Sequence, residues 1–524
     1  MSASSSSTSP GNLLEALRAH LPAPLWDAVG SKLRQLDFAE LKIQLLEERL
    51  RKKLIEKYGP KSDALPSAQL ELLELEPGVS SAEVERESRS ETLEAITAKT
   101  QKRRQAHPGR QPLPAELPRV ETTMVCTAEQ CVCQRCGRET SVIGYDESEM
   151  LDMEPAKYFV ARTRREKRAC KSCADAGVAT APVPPRIVEK GLVSDRIVID
   201  TILAKYSAHL PLYRQSALLE RDCGLEITRA TMDGWVMRVG ELLMPIAGAM
   251  RKDLLAGSYL QADETPVAVQ MHDGRGTNHQ GYLWQYGTPG GSVVFDFRMG
   301  RAREGPKLFL DKYDGILQTD GYAAYDGVGG NRLIHAACWA HSRRKFVDAL
   351  KLNAQDAAAA DILTHIDALF AVDARAREQK LALEARHRLR QQESAPLLAP
   401  LRTALQSALS ASLPASATAK ACNYTLTLWN KLTRFLDHPQ LELSNNLAEN
   451  SMRPIALGRR NWIHLGHQSA GPKVAAILSV VESCRRLQIH ARSYLADVLP
   501  GLASRSIQAL PTLTPANWIP HQPR

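Results

Sequence analysis

The chain has 524 residues, 44% hydrophobic and 24% charged, with a formal charge of +9. That length exceeds one ordinary core, so about three to five domains are expected, and the composition is that of a globular protein rather than a disordered one. The longest apolar run, Val474 to Val481, is too short to span a bilayer. The polar start MSASSSSTSPGN lacks the apolar core of a signal peptide. A cytoplasmic location with no membrane contact is therefore expected. The basic balance favours a polyanionic partner, and ten cysteines in a reducing compartment point to metal rather than disulfides.

Residues 1–11 read as a disordered tail and 12–98 as a helical N-terminal region. Within it Leu36, Ile43 and Leu50 fall seven residues apart, with Leu46 and Leu54 on the neighbouring seam. That spacing suits either a short coiled coil for self-association or an amphipathic helix packed on its own protein. EKYGPKSDAL breaks the first helix, and a second, acidic one covers about 66–100. A basic linker, 99–120, follows, in which Pro and Gly prevent regular structure. Its Arg110 is a candidate DNA contact, along phosphates or in a minor groove, and a solvated tether is the plainer alternative.

Residues 121–180 hold two C-x-x-C knuckles, Cys133-Gln-Arg-Cys136 and Cys170-Lys-Ser-Cys173. Each brings two thiolates to one side of a tetrahedral Zn²⁺, and two knuckles complete the shell, so a structural, zinc-ribbon-like module is expected. Cys126 and Cys131 are spare thiols, either able to replace a knuckle member. Residues 181–255 read as a helical DNA-binding region with Ser194 and Thr228 as N-caps. There Gly224 to Val239 fits a turn and helix offering Arg229, Thr231 and Arg238 to DNA, or plain helical packing, the commoner outcome.

From 256 the text changes to strands: SYLQADETPVAVQ, GYLWQYGTP and SVVFDFRMG, with turn residues between them. A helical segment, the strand GILQTDGYAAY, a short helix and NRLIHAACWA follow. The order β-β-β-α-β-α-β is that of a ribonuclease H-like α/β core, in which the first and fourth strands are neighbours. Residues 256–349 are taken as its first part, with Asp263 ending the first apolar run and Asp320 the fourth. A helical insertion, 350–435, separates these from the catalytic-helix region, 436–485, where Ser444, Asn445 or Asn446 would cap the helix of Glu449. Residues 486–524 form a small helical C-terminal cap without assigned chemistry. The whole reads as a multidomain α+β chain.

Two strand-borne aspartates and a helix-borne glutamate can hold a pair of Mg²⁺ (or Mn²⁺) ions for phosphoryl transfer on a nucleic acid. Each acid has a rival nearby: Glu264, Asp326 and Glu442 respectively. Trp339, His341, Arg343, Arg344 and Lys345 mix an aromatic with basic groups, which suits a DNA end. Asn445, Asn446, Arg453, Arg459 and Arg460 flank Glu449 and suit phosphates. His341 reads equally well as a capped surface histidine. Cys338 reads as a small buried hydrophobe rather than a nucleophile, and no tyrosine or serine recombinase signature stands out.

Together these strings resemble the transposases of bacterial insertion sequence 66, a branch of the DDE recombinases. YGPKSDAL, PGRQPLPAELPR, the paired knuckles, ADETP, TDGYAAY, HAACWAHSRRKF, LSNNLAENSMRPIALGRRNW and AAILSVVESCRRLQI carry the resemblance over nearly the whole chain. YGPKSD departs from the family's pattern by Tyr for Phe and Asp for Glu, and Cys126 and Cys131 are extra. The resemblance implies catalytic Asp263, Asp320 and Glu449 with two Mg²⁺ (or Mn²⁺) ions. It implies cleavage of element-end DNA and joining of a 3′-hydroxyl to target DNA without a covalent protein–DNA intermediate. A homo-oligomer in the DNA complex and small accessory proteins of the same element are the partners to expect. The competing readings are a non-catalytic, zinc-containing DNA-binding relative and a nuclease of the same core that does not join ends.

Overall fold

The computed structural model describes residues 22–58, parts of 119–180, and 181–520 apart from residue 275. The chain divides into two compact units, the smaller spanning 98–181. In that unit β1 (Lys167–Ala169) pairs antiparallel with β2 (Val178–Thr180), Lys167 opposite Thr180. Arg110, Cys133, Cys136, Cys170 and Cys173 lie outside the described residues.

The larger unit is built on five strands: β3 (Tyr259–Val269), β4 (His279–Gly287), β5 (Val293–Arg298), β6 (Ile316–Thr319) and β7 (Ile334–Ala337). Their order across the sheet is β5-β4-β3-β6-β7. The first three form an antiparallel meander, whereas β6 and β7 run parallel to β3. β-branched and aromatic residues such as those of VVFDFR favour this pleated, buried setting. Asp263 does not end its strand, as the sequence suggested. Parallel pairing of β3 with β6 stops at Gln261–Gln318, while antiparallel pairing with β4 continues to Val269. Asp263 therefore stands where one flank of β3 has just come free.

Side-chain alternation sorts the sheet into two faces. Leu260, Ala262 and Leu317 join one hydrophobic core, with α2 (Asp195–Tyr206), α3 (Leu212–Cys223) and α4 (Arg229–Ala256). Tyr259 and Ile316 join a second core on the other face, with α6 (Trp339–Leu352) and the helices after it; α5 (Glu304–Leu310) packs beside β5. Thr228 caps α4 by accepting from Thr231 N at 3.3 Å, whereas Ser194 heads α2 without a side-chain bond. On the meander edge, Ser483 and Ser479 accept from Val293 N and Phe295 N, each at 2.8 Å. The unpaired edge of β5 is thus covered by a helix.

The helical insertion comprises α7 (Ala357–Glu378), α8 (Leu383–Leu389), α9 (Ala395–Ala411) and α10 (Ala417–Thr427), with one π turn at Arg390–Ser394. Buried charges hold it together. Arg390, fully buried, donates to both Asp373 oxygens at 2.8 and 2.6 Å and to Leu441 O at 2.9 Å. Arg386 reaches Asp373 at 3.0 Å and Glu442 at 2.7 Å, and Arg377 completes the set on Glu442. The N-terminal helix α1 (Ala23–Tyr58) rests its later half on this region, Arg51 donating to Leu352 O at 3.2 Å. Its Leu36, Ile43 and Leu50 remain exposed.

After the insertion come α11 (Asn446–Trp462), α12 (Ala470–Arg486) and α13 (Ala491–Val498). Asn445 is the N-cap of α11, but its side chain makes no capping bond. Among the described residues no helix is long and apolar enough to cross a membrane.

Candidate active site

Parallel register decides what meets at the centre. Leu260 lies beside Leu317 and Gln261 beside Gln318, so Asp263 and Asp320 each follow the last common rung by two residues. Asp320 opens a turn: its Oδ1 accepts from Tyr322 N at 2.8 Å and its carbonyl accepts from Tyr424 OH. Gly321 makes that turn at φ +92°, where a Cβ would also come within 2.5 Å of Leu428 Cδ1. α11 brings Glu449 in on its first turn.

The three acids feel one another. Burial lifts the Asp263 carboxyl well above the ordinary range, and the carboxylates of Glu449, Glu264 and Asp320 add to the rise. Burial also pushes Glu449 upward, but Arg344 and then His341 outweigh it and hold that carboxyl below its usual value. Arg344 donates to Glu449 Oε2 at 3.2 Å, and His341 Nε2 stands 3.5 Å from Oε1. At that distance Oε1 is buried without a hydrogen-bond partner. Among the described residues no three acidic, His or Cys side chains already close on one metal position. The donor set is nonetheless all carboxylate oxygen, short of positive charge at Asp263 and with an orphaned oxygen on Glu449. Those features suit a hard divalent cation.

The rival acids have other occupations. Glu264 faces the opposite side of β3, where Arg301 Nε donates to it at 3.0 Å and Tyr325 OH at 2.9 Å. Asp326 pairs with Lys431 and with His335 at 3.1 Å. Glu442 is held at about 2, since burial is outweighed by Arg386 and Arg377.

The remaining candidates separate into two groups. Trp339 is buried, with Nε1 donating to Leu432 O at 2.8 Å, and so offers no ring face to a base. Arg343 is buried in a two-pronged bond to Asp367 at 2.6 and 3.2 Å. Both were read from sequence as DNA contacts, and their helix turns them inward instead. Asn445 and Asn446 are buried as well. Arg459 donates to Thr265 Oγ1 at 2.9 Å and Pro266 O at 2.6 Å, pinning α11 to β3. Arg344, Lys345 and Arg460 are exposed, Arg453 is half-buried, and Lys345 lies 4.3 Å from the Tyr424 ring centre. Cys338 is buried and its thiol is pushed up by burial to about 12, which makes it a poor nucleophile. Sequence reading missed Tyr424 and Gln318, whose contacts come from distant parts of the chain.

Residues 190–473 match the family described as "Transposase IS66 family". Residues 130–174 match the "zinc-finger binding domain of transposase IS66", and 45–122 match "Transposase C of IS166 homeodomain". Two similar proteins come from Sinorhizobium fredii (strain NBRC 101917 / NGR234). Uncharacterized protein y4jD is 32% identical over 423 residues, covering 78% of this chain and 81% of that one. Uncharacterized protein y4hP is 29% identical over 504 residues, covering 91% and 88%. With more than half its length matched by the transposase domain itself, the chain belongs to the IS66 transposase family.

Proposed function

We propose that this transposase is a DDE enzyme with a ribonuclease H-like core, in which Asp263, Asp320 and Glu449 carry metal-dependent DNA cleavage and strand transfer. The observation that carries the reading is the in-register parallel pairing of β3 with β6, which sets Asp263 and Asp320 at equivalent positions. The rise in the Asp263 carboxyl beside Glu449 and Asp320 supports it. The three carboxylates would hold two Mg²⁺ (or Mn²⁺) ions. When bound, such ions activate the attacking oxygen and stabilise the leaving one in an in-line displacement. Arg344 keeps Glu449 ionised and holds its Oε2 in place. Arg344, Lys345, Arg453 and Arg460 offer positive charge beside the site for the DNA backbone.

In the smaller unit Cys133, Cys136, Cys170 and Cys173 would hold structural Zn²⁺, a reading supported by the zinc-finger match over 130–174. Arg110 would contact DNA from the linker. The exposed Leu36, Ile43 and Leu50 stripe favours self-association in the complex with element ends and target DNA. Small accessory proteins of the same element are the further partners, and the cytoplasm is the compartment.

The test is Mg²⁺-dependent cleavage and joining of element-end DNA by Asp263→Asn, Asp320→Asn and Glu449→Gln. Each is expected to fall to background while DNA binding persists. Wild-type turnover in any one removes that residue from the triad, and cleavage without joining by the wild type favours the nuclease.

A further inference from the structure

Both aspartates are preceded by a Leu-Gln-x pattern, Leu260-Gln261-Ala262-Asp263 and Leu317-Gln318-Thr319-Asp320. The two glutamines sit side by side on neighbouring strands, and each is buried, 1% and 0% exposed. A buried amide costs stability unless it is hydrogen-bonded, and an aliphatic pair would fill the same space. What the amides do in return is therefore the question.

They make one connected hydrogen-bond cluster. Gln261 Nε2 lies 3.0 Å from Gln318 Oε1, and Tyr259 OH donates to that same oxygen at 2.6 Å. Tyr259 OH also accepts from Gln261 Nε2 at 2.9 Å and from Glu442 N at 3.2 Å. The cluster then reaches across to the segment leading into α11. Gln318 Nε2 donates to Glu442 O at 2.7 Å and Gln261 Nε2 to Ser444 O at 3.0 Å. Trp339 N holds the intervening Leu443 O at 2.9 Å. The next residue, Asn445, is the N-cap of the helix whose first turn carries Glu449.

We propose that Tyr259, Gln261 and Gln318 are positioning residues, a clasp that sets the Glu449 helix against the two aspartate strands. One amide on each aspartate strand grips one carbonyl of the same lead-in segment. The relative position of all three acids is thereby set by hydrogen bonds as well as by apolar packing, since buried polar networks specify geometry in this way; within the cluster Gln261 Oε1 is buried without a hydrogen bond. The inference rests on the triad reading above and extends it to residues that touch neither DNA nor metal.

The experiment uses the full-length chain with Gln261→Leu, Gln318→Leu and Tyr259→Phe, beside Asp263→Asn as reference. Mn²⁺ affinity is read by electron paramagnetic resonance without DNA. Cleavage is followed at varied DNA concentration, and folding by thermal melting. Loss of an outer partner of a metal site typically costs about 10–100-fold. Mn²⁺ affinity and the DNA-saturated cleavage rate are both expected to fall by that order, with the half-saturating DNA concentration unchanged. Tyr259→Phe, which removes one hydroxyl and keeps the ring, moves both in the same direction by less. It decides the matter if a glutamine variant melts below the assay temperature. Folded variants with wild-type Mn²⁺ affinity and rate overturn the clasp while Asp263→Asn stays dead. If Asp263→Asn itself binds Mn²⁺ and cleaves normally, the triad reading fails and the clasp falls with it.

Discussion

Glu442 and Glu449 lie seven residues apart, both acidic and both largely withdrawn from solvent, yet mutation should affect them differently. Arg386 and Arg377 hold the Glu442 carboxyl at about 2, against an ordinary value of 4.5. With that side chain only 12% exposed, the depression corresponds to about 3 kcal/mol of folded-state stability. The folded-state value lies below the unfolded one. The contribution is therefore complete above about pH 4.5 and is lost as pH falls towards about 2. Glu442→Gln should cost about 3 kcal/mol at pH 7, which agrees with the roughly 3–5 kcal/mol of breaking a buried ion pair. Urea unfolding followed by tryptophan fluorescence at several pH values measures the gap between wild type and variant. By the linkage relation it should stay near its full size at pH 5 and shrink to less than about half at pH 3. A gap that is absent at pH 7, or equally large at pH 3, refutes the reasoning. Glu449→Gln, which loses one arginine partner rather than two, should cost less stability than Glu442→Gln and abolish cleavage.

Because burial and neighbouring carboxylates raise the Asp263 carboxyl, protons and a divalent cation compete there, and affinity should increase with pH. Mn²⁺ titration calorimetry in buffers of different ionisation enthalpy should detect proton release that Asp263→Asn lacks; binding with no proton release in the wild type counts against it. Gly321→Ala places a side chain at φ +92° and 2.5 Å from Leu428, so it should cost about 1–3 kcal/mol and slow cleavage by disturbing the turn after Asp320. A variant melting and cleaving like wild type contradicts that account. Elemental analysis of the purified chain should find about one zinc per chain, lost in Cys170→Ser; unchanged zinc in that variant assigns the metal to other ligands.

The strands of the core were legible because their text is β-branched, aromatic and alternating, and such patterns depend only on neighbours in sequence. The insertion was legible as helix but not as a structural clamp. Arg386 and Arg390 meet Asp373 from 13 and 17 residues away, and Arg386 meets Glu442 from 56, separations at which no local pattern announces a partner. Trp339 and Arg343 were misread for a different reason. The text CWAHSRRKF looks like an aromatic and basic patch, but helical spacing puts Trp339, Arg343, Phe346 and Leu350 on one buried stripe. His341, Arg344 and Lys345 fall on the other face, so the signal was present in the period and hidden by the composition. The Leu-Gln-x-Asp repeat was visible too, yet only the register of β3 and β6 gives it meaning.

Charge balance sets Asp263 apart from Asp326 and Glu442. Asp326 is compensated by Lys431 and Glu442 by two arginines, whereas Glu264 bonds Arg301 yet is still raised by burial and by Asp320. A carboxylate so paired gains little from a metal ion, because binding one would first cost it a protein cation in a low-dielectric site. Asp263 is in the reverse position: the carboxylates of Glu449, Glu264 and Asp320 act on it, and burial removes the water that would screen them. Glu449 lies between the two cases, one oxygen bonded to Arg344 and the other buried without a hydrogen bond. Such a glutamate can keep its arginine on one oxygen and give the other to a cation. On the proposed reading, a divalent cation would supply the positive charge that Asp263 lacks among its neighbours.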